Sequence, residues 1–264
     1  MSAPTVDRPV APIDPRIRAR RIEVRRGQGR RRLQRLVDLG LLVAVGAGFA
    51  VALRSPLLDV DRVRVDGAER TDDQQVLAAA GVEPGQQLMD LDLRAVATRV
   101  ADLPWVAEAE VARGLDGLVT IVVQERVPVA VVGTAGAAVL VDAGGRALGP
   151  VADQPDAASG LVLIEGLSDV PAPGAYLADG EDALALATRL ATVAPGLVQR
   201  LTVGEDLRGV LASGIQVRFG EVGQLEAKVR SLDTVLRQVD LTCAAVIDVR
   251  VPDSAVLTRE EGCS

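Results

Sequence analysis

Between Leu36 and Leu53 the chain reads LVDLGLLVAVGAGFAVAL, with Asp38 its one charged side chain. A helix of this length extends ~27 Å, close to the ~30 Å hydrocarbon thickness of a bilayer. Few soluble helices are apolar on every face for so long, so residues 36–54 are read as a transmembrane helix. Asp38 near one end and Arg54 at the other can reach the headgroup layers. Ten arginines stand between Arg16 and Arg35, just before the run. Residues 1–54 carry 12 Arg and four acidic side chains, net +8, while the rest of the chain carries −15 of the total −7. Basic flanks stay cytoplasmic, so Arg30, Arg31, Arg32 and Arg35 orient the span with the N-terminus inside and about 210 residues outside. The tail, residues 1–35, mixes those arginines with Pro4, Pro9, Pro12 and Pro15. It is expected to be disordered and to face anionic membrane lipid. Nucleic acid is the other partner an arginine run suggests, and it is set aside because lipid already accounts for the charge. Ala50-Val51-Ala52 resembles a cleavage site, but the charged segment ahead of the run is far longer than a signal peptide's, so an uncleaved anchor is favoured.

Composition narrows the chemistry. The chain has no histidine, which removes Ser-His-Asp and Cys-His catalysis, histidine zinc sites and histidine pH switching together. Two cysteines, Cys243 and Cys263, are too few for a disulfide framework or a thiolate metal site, and spacing does not decide whether they pair. Phe49, Trp105, Tyr176 and Phe219 are the only aromatic residues, too few to stack sugars or bases. No phosphate loop or dinucleotide fingerprint follows a strand. Carboxylates remain, in the pairs Asp72/Asp73, Asp90/Asp92, Glu181/Asp182 and Glu205/Asp206. Each pair falls at a helix start or in a turn, where acidic side chains favour the helix N-terminus or bind the local backbone. No catalytic, metal or cofactor residue is therefore assigned.

Beyond Pro56 the pattern mixes strands and helices, an α+β class. Residues 59–65 alternate and close at Asp66-Gly67. Thr71-Asp72-Asp73-Gln74 reads as a capping box, followed by a short helix that Gly81 stops. Asp92 caps a second helix ending before Pro104. Residues 105–113 and 118–124 read as strands joined by the turn at 114–117. This β-α-α-β-β order predicts two helices on one face of a three-stranded sheet. Downstream, residues 139–145 form a strand entering a Gly-Gly turn, and 161–165 another strand. Residues 182–193 and 222–239 carry apolar positions at helical spacing, while 201–203, 210–211, 215–219 and 245–250 read as strands. Pro128 is expected to stop regular pairing after the third strand.

These residues resemble a known family. The segments Leu103-Pro104-Trp105-Val106, Ala109-Glu110-Val111-Ala112-Arg113 and Val119 to Ala130, with Glu125-Arg126-Val127-Pro128-Val129-Ala130 its most specific piece, look like a POTRA domain of the FtsQ/DivIB cell-division type. Leu140-Val141-Asp142 before Gly144-Gly145 is similar to the hairpin opening that family's β domain. Lys228 and Leu232 fit its Lys-x-x-x-Leu helix, and Ile247-Asp248-Val249-Arg250 its Ile-Asp-Leu-Arg strand. The resemblance implies a cytoplasmic tail at 1–35, a span at 36–54, a POTRA domain at 57–127, a mixed β domain with two helices at 128–258 and a polar tail at 259–264.

It also implies a non-enzymatic, single-pass scaffold of the bacterial division machinery at the septum. Such a protein binds FtsB- and FtsL-type partners, meets other divisome components through its POTRA domain, and helps control septal peptidoglycan synthesis. In the family the strand after the last long helix receives a segment of FtsB. By matching stretches, that edge would run through Ile247, Asp248, Val249, Arg250, Ser254, Ala255, Val256 and Leu257, with Asp248 and Arg250 offered to charges on the partner. An open strand edge suits this role because an added strand gains main-chain hydrogen bonds. Which POTRA strand is free is not legible. Two other classes were weighed. A POTRA-bearing transport or chaperone component would need several repeats and a barrel pattern. A carboxylate-based cell-wall hydrolase would need a carboxylate pair at a set separation.

Overall fold

The computed structural model describes residues 34–48, 59–134, 136–221, 223–260 and 262. The tail through Leu33, with Arg30, Arg31 and Arg32, lies outside them, as does the end of the apolar run from Phe49. Residues 34–48 form helix α1, exposed along its whole described length. Among the described residues no helix is long and apolar enough to cross a membrane. Asp59 makes an isolated antiparallel bridge with Gln87.

From Val60 onward two sheets carry the fold. The smaller has a central strand β3 (Leu118–Glu125), with β1 (Arg62–Asp66) parallel on one side and β2 (Val106–Arg113) antiparallel on the other. Period-two alternation sets its faces. Val119, Ile121 and Val123 of β3 are buried, and Val63 and Val65 of β1 are half-buried with them. Helices α2 (Asp73–Ala80) and α3 (Leu93–Ala101) bury Val76, Ala80, Val96 and Val100. Asp92 caps α3 as anticipated, accepting from the Arg94 and Ala95 amides. The cap of α2 is Asp72 rather than Thr71. The Thr71 amide donates instead to the Glu125 carboxylate at 2.7 Å, so the cap falls one residue later.

The larger sheet has nine strands in the order β12-β11-β10-β9-β8-β7-β4-β5-β6. They are β4 (Pro128–Thr134), β5 (Ala137–Asp142), β6 (Ala147–Pro150), β7 (Val162–Glu165), β8 (Val198–Thr202), β9 (Leu207–Leu211), β10 (Gln216–Gly220), β11 (Ala244–Asp248) and β12 (Val256–Arg259). Pro128 does not end pairing. The ladder slips between Pro128 and Ala130 and then runs regularly to Thr134, placing β4 between β5 and β7. A proline is tolerated at a strand's first residue because its missing N–H removes no interior ladder bond. Helix α4 (Glu181–Val193) connects the parallel pair β7 and β8, and α5 (Leu225–Gln238) connects the parallel pair β10 and β11. Leu184, Leu186 and Leu190 of α4 join Val229 and Leu232 of α5 in one core with Ile164, Leu201, Val217, Phe219 and Ile247 from the strands. Gly209 allows close packing there, since a Cβ would lie 2.9 Å from the Phe219 ring.

A second cluster shows how the smaller sheet meets the larger one. Trp105, in the turn just before β2, is buried with Val131, Leu140, Leu148 and Ala157. Arg126, in the link between β3 and β4, donates from Nε to the Val106 carbonyl at 2.9 Å and from Nη1 to Asp142 at 2.7 Å. The other oxygen of Asp142 accepts the amides of Gly144 and Arg146, both at 2.9 Å. Glu125 accepts the amides of Glu69, Arg70 and Thr71. The adjacent residues Glu125 and Arg126 thus hold the smaller sheet's module on one side and the hairpin of β5 and β6 on the other.

Candidate partner-binding edge

The chain after α5 ends the large sheet. Residues 244–248 form β11, Pro252–Ser254 a single 3-10 turn, and Val256–Arg259 the last strand, β12, which runs antiparallel to β11. Among the described residues β12 has a neighbour on one side only. Its other side therefore presents a row of backbone groups without ladder partners. Val256 is 58% exposed, while Leu257 is half-buried opposite Ile247. The Glu260 amide donates to the Cys243 carbonyl at 2.9 Å, and Arg259 donates to the Asp240 carbonyl at 3.1 Å. Both bonds fasten the end of β12 to the loop before β11. In that loop Cys243 is disulfide-bonded; Cys263 lies outside the described residues. The Thr242 hydroxyl and amide both donate to Asp240 and hold its carboxyl below the usual range.

The eight residues marked from the sequence fall into three settings. Ile247 and Asp248 belong to β11, which is flanked by β10 and β12 and is not a free edge. Val249 is fully buried, its amide donating to the Arg218 carbonyl at 3.0 Å. Arg250 is exposed, and Ser254 and Ala255 belong to the turn and its end. Only Val256 and Leu257 lie on the open strand. The alternation Ile-Asp-Val-Arg is that of a half-buried strand, and it does not tell an outermost strand from the one beside it. Thr258 and Arg259 complete the open strand and were missed. The signal for them was thin: one β-branched pair, Val256 and Thr258, alternating around Leu257.

Asp248 and Arg250 pair with each other. Arg250 Nε donates to both Asp248 oxygens at 3.0 Å, and its Nη2 lies 2.8 Å from Oδ2. This contact is the main reason the Asp248 carboxyl is held below its ordinary range, with the Arg250 amide and the charge of Arg218 adding to it against a partial burial cost. The open face beside β12 is built in cross-strand rows. Val256 stands opposite Asp248, Asp248 opposite Arg218, and Arg218 opposite Arg208. Two like charges directly opposite are unfavourable in a sheet. Lys228, the single lysine, is buried instead, donating from Nζ to the carbonyls of Phe219 (2.8 Å) and Glu221, which fixes α5 to the end of β10. Among the described residues no group of three or more acidic, His or Cys side chains could hold a metal ion.

A β-α-α-β-β module stapled to a β-rich domain whose last strand is open on one side defines a class of protein, the POTRA-bearing proteins. Comparison with known families narrows it. The POTRA domain, FtsQ-type, matches residues 58–126, and the C-terminal domain of cell division protein FtsQ/DivIB matches residues 130–250. A cell division protein FtsQ from Rhodothermus marinus is 33% identical, covering 91% of this chain and 92% of its own length. Another, from Anaeromyxobacter sp. strain K, is 34% identical over 84% of this chain and 80% of its own. A third, from Streptomyces collinus, is 33% identical over 86% and 89%. The chain belongs to the FtsQ/DivIB family of cell division proteins.

Proposed function

We propose that this protein is a non-enzymatic scaffold of the divisome that receives a strand from an FtsB-type partner, itself paired with an FtsL-type protein, along the free edge of β12. The observation that carries this reading is the position of β12, paired on one side and ending a nine-stranded sheet. An added strand gains a row of main-chain hydrogen bonds there, and alternate side chains meet Val256 and Thr258 on one face and Leu257 on the other. Through such partners the protein helps control septal peptidoglycan synthesis. The apolar run at 36–54 supplies the membrane anchor, with Arg30, Arg31, Arg32 and Arg35 on the cytoplasmic side against anionic lipid and the domains at 57–127 and 128–258 outside. Val256→Asp and Thr258→Asp test the edge in the full-length protein. Both positions are exposed, so each variant should keep its fold and lose at least tenfold in affinity for the FtsB-type partner. Wild-type capture by both variants overturns the assignment of this edge.

A further inference from the structure

The POTRA sheet has two outer strands, and on its open face they carry opposite charge. Arg62 and Arg64 alternate with inward Val63 and Val65 on β1, and Glu108 and Glu110 are exposed on β2. The register confirms a common face. Glu110 stands opposite Val122, which stands opposite Asp66, and Ala112 opposite Thr120, which stands opposite Arg64. None of the four charged side chains has an ion pair or side-chain hydrogen bond among the described residues. The centre of the face is uncharged, with Thr120, Val122 and Gln124, and Val122 is 46% exposed.

We infer that β1 of one copy pairs with β2 of a second copy of this chain, joining POTRA sheets edge to edge. Because β1 is parallel and β2 antiparallel to β3, two copies in the same orientation bring β1 and β2 together antiparallel with their open faces on the same side. In the register that sets Arg62 opposite Glu110, Val63 lies opposite Ala109 and Arg64 opposite Glu108. Both cross-strand ion pairs then form on one face, with a small residue against valine on the other. Asp66 falls opposite Val106, whose carbonyl is already taken by Arg126, so the pairing ends there. The contact is head-to-tail, with different strands from the two copies. Such an interface propagates unless its rotation closes a ring. Exposed charges are screened by salt, so the association is weak in dilute solution and favoured where copies are concentrated. This surface is separate from β12 and does not depend on the partner proposed there.

The test uses the full-length chain in mild detergent, followed by sedimentation at rising protein concentration in low and high salt. The wild type should form oligomers that grow with concentration and dissociate as salt is raised. R62E/R64E makes both edges acidic and E108R/E110R makes both basic, so each alone should self-associate at least tenfold more weakly. An equimolar mixture of the two should associate again. A wild type that stays monomeric in low salt, variants that associate as the wild type does, or a mixture that fails to associate would each overturn the inference.

Discussion

Asp248 and Arg250 show how a pair that looks like a binding motif in sequence can be spent internally. The Arg250 guanidinium is the main cause of the depressed Asp248 pKa. A carboxyl held lower in the folded than in the unfolded chain contributes stability above the unfolded pKa, and that contribution is lost as pH falls through the folded value. In an NMR titration Asp248 should therefore protonate below the ordinary value of 3.8, and Arg250→Ala should move its midpoint upward. A midpoint at or above the ordinary value, unmoved by Arg250→Ala, would contradict the pairing. Lys228 makes the complementary point. A motif residue that resemblance alone would leave unexplained is a buried clamp between β10 and α5.

At the scale of elements, the junction between the two sheets rests on Trp105 and on the Arg126–Asp142 pair. Asp142 is nearly buried and Arg126 is largely so. Removing one member of a buried pair leaves the other uncompensated. Arg126→Ala should destabilise the protein by on the order of 3 kcal/mol, measured by denaturant unfolding; a loss within ordinary surface-substitution noise would contradict the junction's role. The elements were legible to differing degrees. Helix caps, glycine stops and the strands of the POTRA sheet follow from local chemistry, and Asp92, Gly81 and the alternation at 62–66 fall where that chemistry puts them. β4 was hidden because Pro128 reads as a breaker, and its central place depends on pairing with β7, distant in sequence. β6 (Ala147–Pro150) closes on Gly149-Pro150, which reads as a turn, and β12 runs into the polar end of the sequence. Trp105 reads as a strand residue, and nothing nearby in the sequence says that it packs into a different sheet.

For the whole molecule, family membership makes this a cell division protein, and the open end of the large sheet supports the proposal that it takes up a partner strand. Of the residues marked from the sequence, Ile247 and Asp248 lie on β11 and only Val256 and Leu257 on the outermost strand. Strand order is a property of the assembled sheet, and β11 and β12 differ in neighbours rather than in composition. The most direct measurement of the central claim is amide hydrogen exchange on the full-length protein with and without its FtsB-type partner. Strand addition predicts that amides in 256–259 slow by at least tenfold on binding, while those of the POTRA sheet are unchanged. A bound partner that leaves exchange in 256–259 as it was, and protects another surface, would contradict the account.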